Sequence, residues 1–378
     1  MKTVAIVSRK LITGGVEKAL IAMLKKFDYT KVSVDLYLEE LGGDLFSELP
    51  KEVNKYSIPE VNRQNFFLHP LLFVKKIFYS VLLKTKKNSY LQECFYASQT
   101  LCPINKKYDY AISYHAPNTI PVFYVIDKMK ADKKILWLHG DLETNSGNNN
   151  LLLKYHEKYD KTFAVSKSVY ESFIKYHPLK KKNIELFYNF VDVDSIKELS
   201  KIGPSFKNDS SFKILTIGRL DKQKGYDLAV KACKSLVDKG YKFHWYVCGE
   251  GAERNAIEEL ITVNNLKDIF ILLGNQSNPY GFLANCDLYV QPSRYEGYCT
   301  TTNEARMLYK PVITTDVSGA KEQFENNITG WIVPIDSESL TTKIEECLNN
   351  REILMQIISN LKSTLNIDNE QSINEIFS

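Results

Sequence analysis

Apolar residues in this chain come in short runs separated by stretches where they recur every three or four positions. In the second half the runs are Lys213-Ile-Leu-Thr-Ile217, Phe243-His-Trp-Tyr-Val247, Ile269-Phe-Ile-Leu-Leu273, Leu288-Tyr-Val290, Val312-Ile-Thr-Thr315 and Trp331-Ile-Val333. Helical patterns such as Tyr226–Asp238 and Glu253–Val263 lie between them. Continuous apolar runs alternating with amphipathic helices predict parallel strands covered on both faces, hence a doubly wound α/β sheet. The first half opens the same way, with Thr3-Val-Ala-Ile-Val7, the pair Gly14-Gly15, and an amphipathic helix from Val16. Further strands are predicted at Val32–Tyr37, Tyr110–Ser113, Ile135–Leu138 and Thr162–Val165. The Gly/Pro/Ser-rich segment Ser200–Ser211 reads as a linker. Two Rossmann-like domains facing across a cleft follow from this pattern: 1–200, then 212–350, with a helical tail at 351–378.

A length of 378 residues agrees, being too long for one typical core. Seven cysteines, an odd number with no CxxC pair, predict reduced thiols and argue against a disulfide frame or a zinc site. With no leader-like start and no long apolar stretch, the expected location is the cytoplasm. The net charge of +4 hides an asymmetry: residues 1–205 carry +9 and residues 206–378 carry −5. The front half is therefore expected to meet something negative.

One stretch breaks the alternation. Residues 61–92 hold no carboxylate, while Arg63, Lys75, Lys76, Lys84, Lys86 and Lys87 interleave with Phe66, Phe67, Leu68, Leu71, Leu72, Phe73, Ile77, Phe78, Tyr79, Leu82 and Leu83. Two readings stand open. The segment lies in the headgroup layer of an anionic membrane, or it is a core helix with lysine-tipped ends. Nucleic acid is not an expected partner, because the lysines mix with bulky aliphatics and no recognition module is present.

The chemistry-bearing residues cluster at strand ends. Gly218-Arg219 and Lys224-Gly225 follow the first strand of the second half, a placement that can set two cations beside a diphosphate. Only 7 of the 49 basic residues are arginines, so an arginine at this position suggests bidentate geometry rather than charge alone. Glu296 and Glu304 bracket a hydroxyl-rich turn leading into a helix. A helix start attracts anions, so carboxylates there suit neutral hydroxyls such as those of a ribose or hexose. Gly249-Glu-Gly251 and Gly14-Gly15 each admit a ligand approach or a mere turn. His139 and His115 sit at predicted strand ends, where a structural role and a ligand-facing role are both open. Asp192-Val-Asp194 is best read as a helix N-cap rather than a metal motif. No metal-spaced cluster or P-loop is present.

Taken in order, Gly218-Arg219…Lys224-Gly225, Gly249-Glu-Gly251, Gly274-Asn-Gln, Pro292-Ser293 and Glu296…Glu304 resemble the retaining glycosyltransferases of family 4, with the GT-B fold. The match spans about residues 185–335 and is weaker before that, where Gly14-Gly15 and His139 fit. The resemblance implies that Arg219 and Lys224 hold a donor diphosphate, Glu304 the ribose and Glu296 the transferred sugar. It further implies that the amides of Cys299, Thr300 and Thr301 support the phosphates or sugar, and that Asn275 and Gln276 flank the base. Gly15 and Gly249 would let the donor approach the backbone, and His139 would face the donor sugar. Where the family often has Gly-Phe-Gly after the first glutamate, this chain has Gly297-Tyr-Cys-Thr.

The implied reaction is transfer of a hexose from an NDP-sugar, foremost a UDP-sugar, with retained anomeric configuration and no metal or other cofactor. The basic, aromatic stretch at 61–92 points to a membrane-associated glycan acceptor, such as a polyprenyl-linked one of a bacterial capsule or surface polysaccharide, reached from the inner face of the cell membrane. A UDP-sugar 2-epimerase and a non-catalytic nucleotide-sugar-binding subunit are the alternatives.

Overall fold

The structure is a computed structural model and describes residues 1–61, 67, 69–85, 89–142, 150–207, 210–364 and 373–377. The chain divides into two units, Met1–Phe190 with Glu370–Ser378, and Val191–Asn369.

The first unit is built on seven strands: β1 (Lys2–Ser8), β2 (Val32–Leu38), β3 (Asn54–Ser57), β4 (Ile104–Ala116), β5 (Met129–Leu138), β6 (Lys161–Ala164) and β7 (Ile184–Leu186). Their order is β3-β2-β1-β4-β5-β6-β7, with every pairing parallel. Val4, Ala5, Ile6 and Val7 of β1 are fully buried, which is why this strand reads as an unbroken apolar run. Helix α1 (Gly15–Lys25) buries every residue from Ala19 to Leu24, so its middle is enclosed on all sides.

Helices α2 (Pro70–Thr85) and α3 (Tyr90–Gln99) follow. The Tyr79 ring of α2 stacks on Tyr96 of α3 with centroids 4.7 Å apart. The opposite side of α2 faces water: Leu71, Val74, Ile77, Phe78 and Val81 are 53 to 79% exposed and share one face at helical spacing. This removes the core-helix reading for α2, because a core helix would bury that stripe; Val61 and Leu91, at the ends of the 61–92 segment, are buried. Arg63, Phe66, Lys86 and Lys87 lie outside the described residues, as does the side chain of Lys84.

The second unit opens with α4 (Val193–Ile202) and carries six parallel strands: β8 (Phe212–Ile217), β9 (Phe243–Cys248), β10 (Phe270–Gly274), β11 (Leu288–Gln291), β12 (Val312–Thr315) and β13 (Trp331–Val333). The order is β10-β9-β8-β11-β12-β13. Among its helices are α5 (Tyr226–Asp238), α6 (Thr300–Met307) and α7 (Arg351–Thr364). One side of the sheet packs Trp245, Val247, Leu288 and Val290 against Ala229, Cys233 and Leu236 of α5 and Leu354, Ile357 and Leu361 of α7. The Trp245 indole donates to Thr216 Oγ1 at 3.0 Å, and that hydroxyl donates to the Val290 carbonyl at 2.7 Å, so the buried polar atoms are paired.

The boundary between the units precedes the Gly/Pro/Ser-rich segment, because Ile196 of α4 packs into the second unit's core. Asp192 caps α4 by accepting from the Ser195 amide at 3.1 Å. Helix α7 stays with the second unit, whereas the last residues rejoin the first. The Phe377 carbonyl accepts from Lys2 Nζ at 2.7 Å and from Tyr110 OH at 2.8 Å. Its ring meets Phe27 and Tyr110 edge-on.

Candidate functional site

In each sheet the strand order reverses between the first strand and its crossover neighbour, β1/β4 and β8/β11. At such a switch point the loops leave in opposite directions and open a crevice beyond the carboxyl ends of the strands. Arg219 and Lys224 lie on the loop after β8, while Glu296 and the start of α6 follow β11. The four residues singled out in sequence therefore all follow the two strands that flank one switch point of one unit.

Two turns are braced against each other there. Asp221 accepts from the Lys224 amide at 3.1 Å. Gly225 then takes φ +67, and a Cβ on it would lie 2.0 Å from the Pro292 carbonyl oxygen, so only glycine fits. The Arg294 amide donates to the Gln223 carbonyl at 2.7 Å, and Gln223 Nε2 donates to the Tyr295 carbonyl at 2.9 Å. The Arg294 guanidinium forks onto Asp227 in the first turn of α5, at 2.8 and 2.7 Å. Arg294 and Asp227 escaped the sequence reading. The scarcity of arginine, which marked Arg219, was the one signal that could have marked Arg294.

This bracing delivers Lys224 to Glu296. Lys224 Nζ lies 2.6 Å from Glu296 Oε1, and both side chains are at least 85% buried. Burial alone would pull the lysine pKa down, but the Glu296 charge and hydrogen bond outweigh it and leave that pKa raised. Ser293 Oγ donates to the same Oε1 at 2.7 Å. Arg219 is the contrasting cation: its side chain is 59% exposed and its nearest carboxylate, Asp221, is 3.5 Å away.

Glu304, on α6, is buried and accepts from Tyr280 OH at 3.0 Å, a hydroxyl that sequence did not flag. Cys299 is the α6 N-cap and offers no side-chain cap, so the first-turn amides of Thr300 and Thr301 keep their donors and the positive end of the dipole. Its thiol lies 3.3 Å from Thr301 Oγ1, and burial pushes its pKa up. Gly249 is sterically required, because a Cβ would lie 1.9 Å from the Gly218 carbonyl oxygen. Arg254 beside it is taken up by Glu250 and Glu258. Asn275 is exposed, and Gln276 turns its amide to the Leu273 carbonyl at 2.7 Å. A concavity of about 440 Å³ lies at the amino ends of the central strands β8 and β11, where Lys213 and Asp287 stand, and holds none of these residues.

The first unit carries the other two candidates. Gly15 is the first residue of α1, whose N-cap Gly14 provides no side-chain cap, and the Glu17 carboxylate sits over Gly14. His139 follows β5, 4.8 Å from the Tyr114 ring and 6.2 Å from that of His115. Burial drives its pKa down to about 3; the Tyr114 main chain offsets only part of this, and neither ring nitrogen completes a hydrogen bond. His115 lies 3.3 Å from Ser8 Oγ and 3.9 Å from Glu17. Among the described residues no three His, Cys, Asp or Glu side chains gather in a metal-holding group.

Two doubly wound parallel sheets in one chain are the α/β architecture of GT-B glycosyltransferases. The Anabaena protein HepE, solved with UDP and glucose, superposes with a TM-score of 0.71 over 96% of this chain and 94% of its own, at 19% identity. Residues 199–364 match the family model of the glycosyl transferases group 1. It is 29% identical over 193 residues to the N-acetylgalactosamine-N,N'-diacetylbacillosaminyl-diphospho-undecaprenol 4-alpha-N-acetylgalactosaminyltransferase of Campylobacter jejuni, a match covering 51% of each chain. It is 33% identical over 149 residues to the capsular polysaccharide biosynthesis glycosyltransferase CapM of Staphylococcus aureus, covering 38% of this chain and 39% of CapM. The matches thus span about half the length of these relatives or less.

Proposed function

We propose that this protein is a retaining hexosyltransferase that moves a sugar from an NDP-sugar, foremost a UDP-sugar, to a membrane-associated glycan in bacterial surface polysaccharide assembly. The observation that carries the reading is the Lys224–Glu296 pair set beside the uncapped start of α6 at a switch point. A lysine with protons to spare, the exposed fork of Arg219 and free helix amides suit the two phosphates of a nucleotide diphosphate. Buried carboxylates at Glu296 and Glu304 suit hydroxyls: the transferred sugar at the first, the ribose at the second. The two cations, rather than a metal, would neutralise the charge that develops as the C–O bond to the diphosphate breaks. The acceptor hydroxyl would attack from the leaving-group face and give its proton to the departing phosphate oxygen, so neither glutamate forms a bond to the sugar. His139, neutral at pH 7 because of its burial, would act as a hydrogen-bonding imidazole toward the donor sugar.

The acceptor reading draws on two independent features. The Campylobacter relative is named for a diphospho-undecaprenol-linked acceptor. The exposed apolar face of α2, with exposed Lys75 at its border, suits the interface of an anionic bilayer. No described helix is long and apolar enough to cross a membrane, so contact would be peripheral, from the cytoplasmic side.

A thermal-shift panel of nucleotide sugars tests the donor site, because a ligand bound only by the folded state raises Tm by mass action. A UDP-sugar should raise Tm in the wild type and fail to do so in Arg219→Ala and Lys224→Ala. Shifts of full size in both variants would overturn the assignment. Incubation with donor alone distinguishes an epimerase, which would yield an isomeric nucleotide sugar without any acceptor.

A further inference from the structure

A buried chain of side chains runs behind Glu296. Gln291, the last residue of β11, is fully buried, as is Ser293. Gln291 Nε2 donates to Ser293 Oγ at 2.9 Å, and Ser293 Oγ donates to Glu296 Oε1 at 2.7 Å. At its other end, Gln291 Oε1 accepts from Tyr289 OH at 2.7 Å and from Thr301 Oγ1 at 3.2 Å. Tyr289 OH in turn lies 3.3 Å from the Ile217 amide, at the end of β8. The chain thus links the end of β8, the first turn of α6 and the carboxylate of Glu296.

The direction of each bond follows from what its atoms can do. The amide nitrogen of Gln291 can only donate, so Ser293 Oγ must receive that proton and turn its own toward Glu296. Reversing the amide would make Ser293 donate to Gln291 and leave hydroxyl lone pairs against a carboxylate. Tyr289 stays a donor because burial holds its phenol pKa well above the ordinary value. Glu296 Oε1 therefore receives two donors, Ser293 and Lys224, both at hydrogen-bond distance. Two donors on one oxygen fix the plane of the carboxylate. Oε2, which has no hydrogen-bond partner among the described residues, is then the oxygen offered to a ligand hydroxyl.

We infer that Gln291 is a positioning residue that, through Ser293, aims Glu296 at the sugar of the donor and ties that aim to Thr301 at the start of α6. This rests on the donor-site reading above and adds who sets the carboxylate's direction. The sugar-binding end and the phosphate-binding end of the site share one buried amide. A nucleoside diphosphate lacking the sugar gains nothing from Glu296, and Gln291 bonds the hydroxyl of Thr301 rather than the amide that would meet a phosphate, so its binding changes little with Gln291, whereas a nucleotide sugar depends on it.

The test compares UDP with the UDP-sugar that gives the largest thermal shift in the wild type, each by calorimetric titration. Gln291→Met keeps the length and apolar bulk but loses both ends of the relay; Ser293→Ala breaks only the last link and perturbs packing least. Each variant should bind UDP within about twofold of the wild type while losing about tenfold in affinity for the UDP-sugar, the size of one hydrogen bond to a charged group. The double variant should lose no more than the worse single one, because both cut the same chain. Equal losses for UDP and UDP-sugar would reduce Gln291 to a structural residue, and no loss for either would also sink the inference. A wild type that binds no UDP-sugar would instead sink the donor-site reading on which it rests.

Discussion

At the scale of single residues, burial sets protonation. His139 and His156 both have pKa values driven down by burial, from an ordinary 6.5 to about 3. His156 is wholly enclosed and holds one hydrogen bond, Nε2 to the Pro117 carbonyl at 3.0 Å. As pH falls below 6.5 the unfolded chain protonates these imidazoles, while the folded chain resists until near 3. The unfolded state then binds more protons, so stability falls with pH across that window, by up to about 1.4 kcal/mol per pH unit for each histidine. Denaturant titrations at pH 7 and pH 5 should show His139→Asn losing less stability between the two than the wild type does; an identical loss would contradict the assignment. Legibility at this scale was uneven. Glu296, Glu304, Arg219 and Lys224 stood out because a strand end followed by a polar turn limits what such residues can do. Tyr280, Gln291 and Asp227 did not, because each acts through a partner in another turn or element. Tyr280 meets Glu304 across 24 positions, and Asp227 meets Arg294 across 67.

Elements were more legible than contacts. The apolar runs at β1, β2, β8, β9, β12 and β13 announce themselves because a parallel strand buried on both faces has few polar alternatives. Strands β3 and β7 were missed for the converse reason. Each closes an edge of the first sheet; β3 reads Asn54-Lys-Tyr-Ser57, with no residue buried, and β7 has three residues. Nor could the shape of the turn between β8 and α5 be read from its own residues. Its geometry depends on Pro292, whose carbonyl presses where a Gly225 side chain would stand. Gly225→Ala therefore meets both a positive φ and a steric overlap with main chain, and should destabilise the protein by about 1–3 kcal/mol. Gly240, also at positive φ but with open space around it, provides the control, since Gly240→Ala bears only the backbone cost. Denaturation midpoints that fall equally for both variants would show that the Pro292 contact contributes nothing.

At the scale of the whole molecule, charge and apolar surface coincide. Residues 1–205 carry the net +9, and the same part presents the α2 stripe of Leu71, Val74, Ile77, Phe78 and Val81 to water. The stripe is not left over from poor packing, because the other side of α2 is engaged: Tyr79 stacks on Tyr96, and Lys76 donates to the Val61 carbonyl at 3.0 Å. A helix held from behind by rings and a lysine, with its outer face apolar, can press that face into a headgroup layer without unfolding. Electrostatic attraction to anionic lipid adds about 1 kcal/mol per lysine near the surface, and each inserted aliphatic or aromatic side chain adds more. Sedimentation with vesicles should thus show the protein bound to phosphatidylglycerol-containing vesicles and free of pure phosphatidylcholine, with binding weakened by salt. Lys75→Glu should lower the bound fraction partly, and Phe78→Asp together with Val74→Asp should abolish it. Those three positions are exposed, so the substitutions should leave the denaturation midpoint nearly unchanged. Equal sedimentation with neutral and anionic vesicles, or binding that survives the paired aspartates, would remove the membrane from the account and leave the donor site standing, since none of its residues lies on α2.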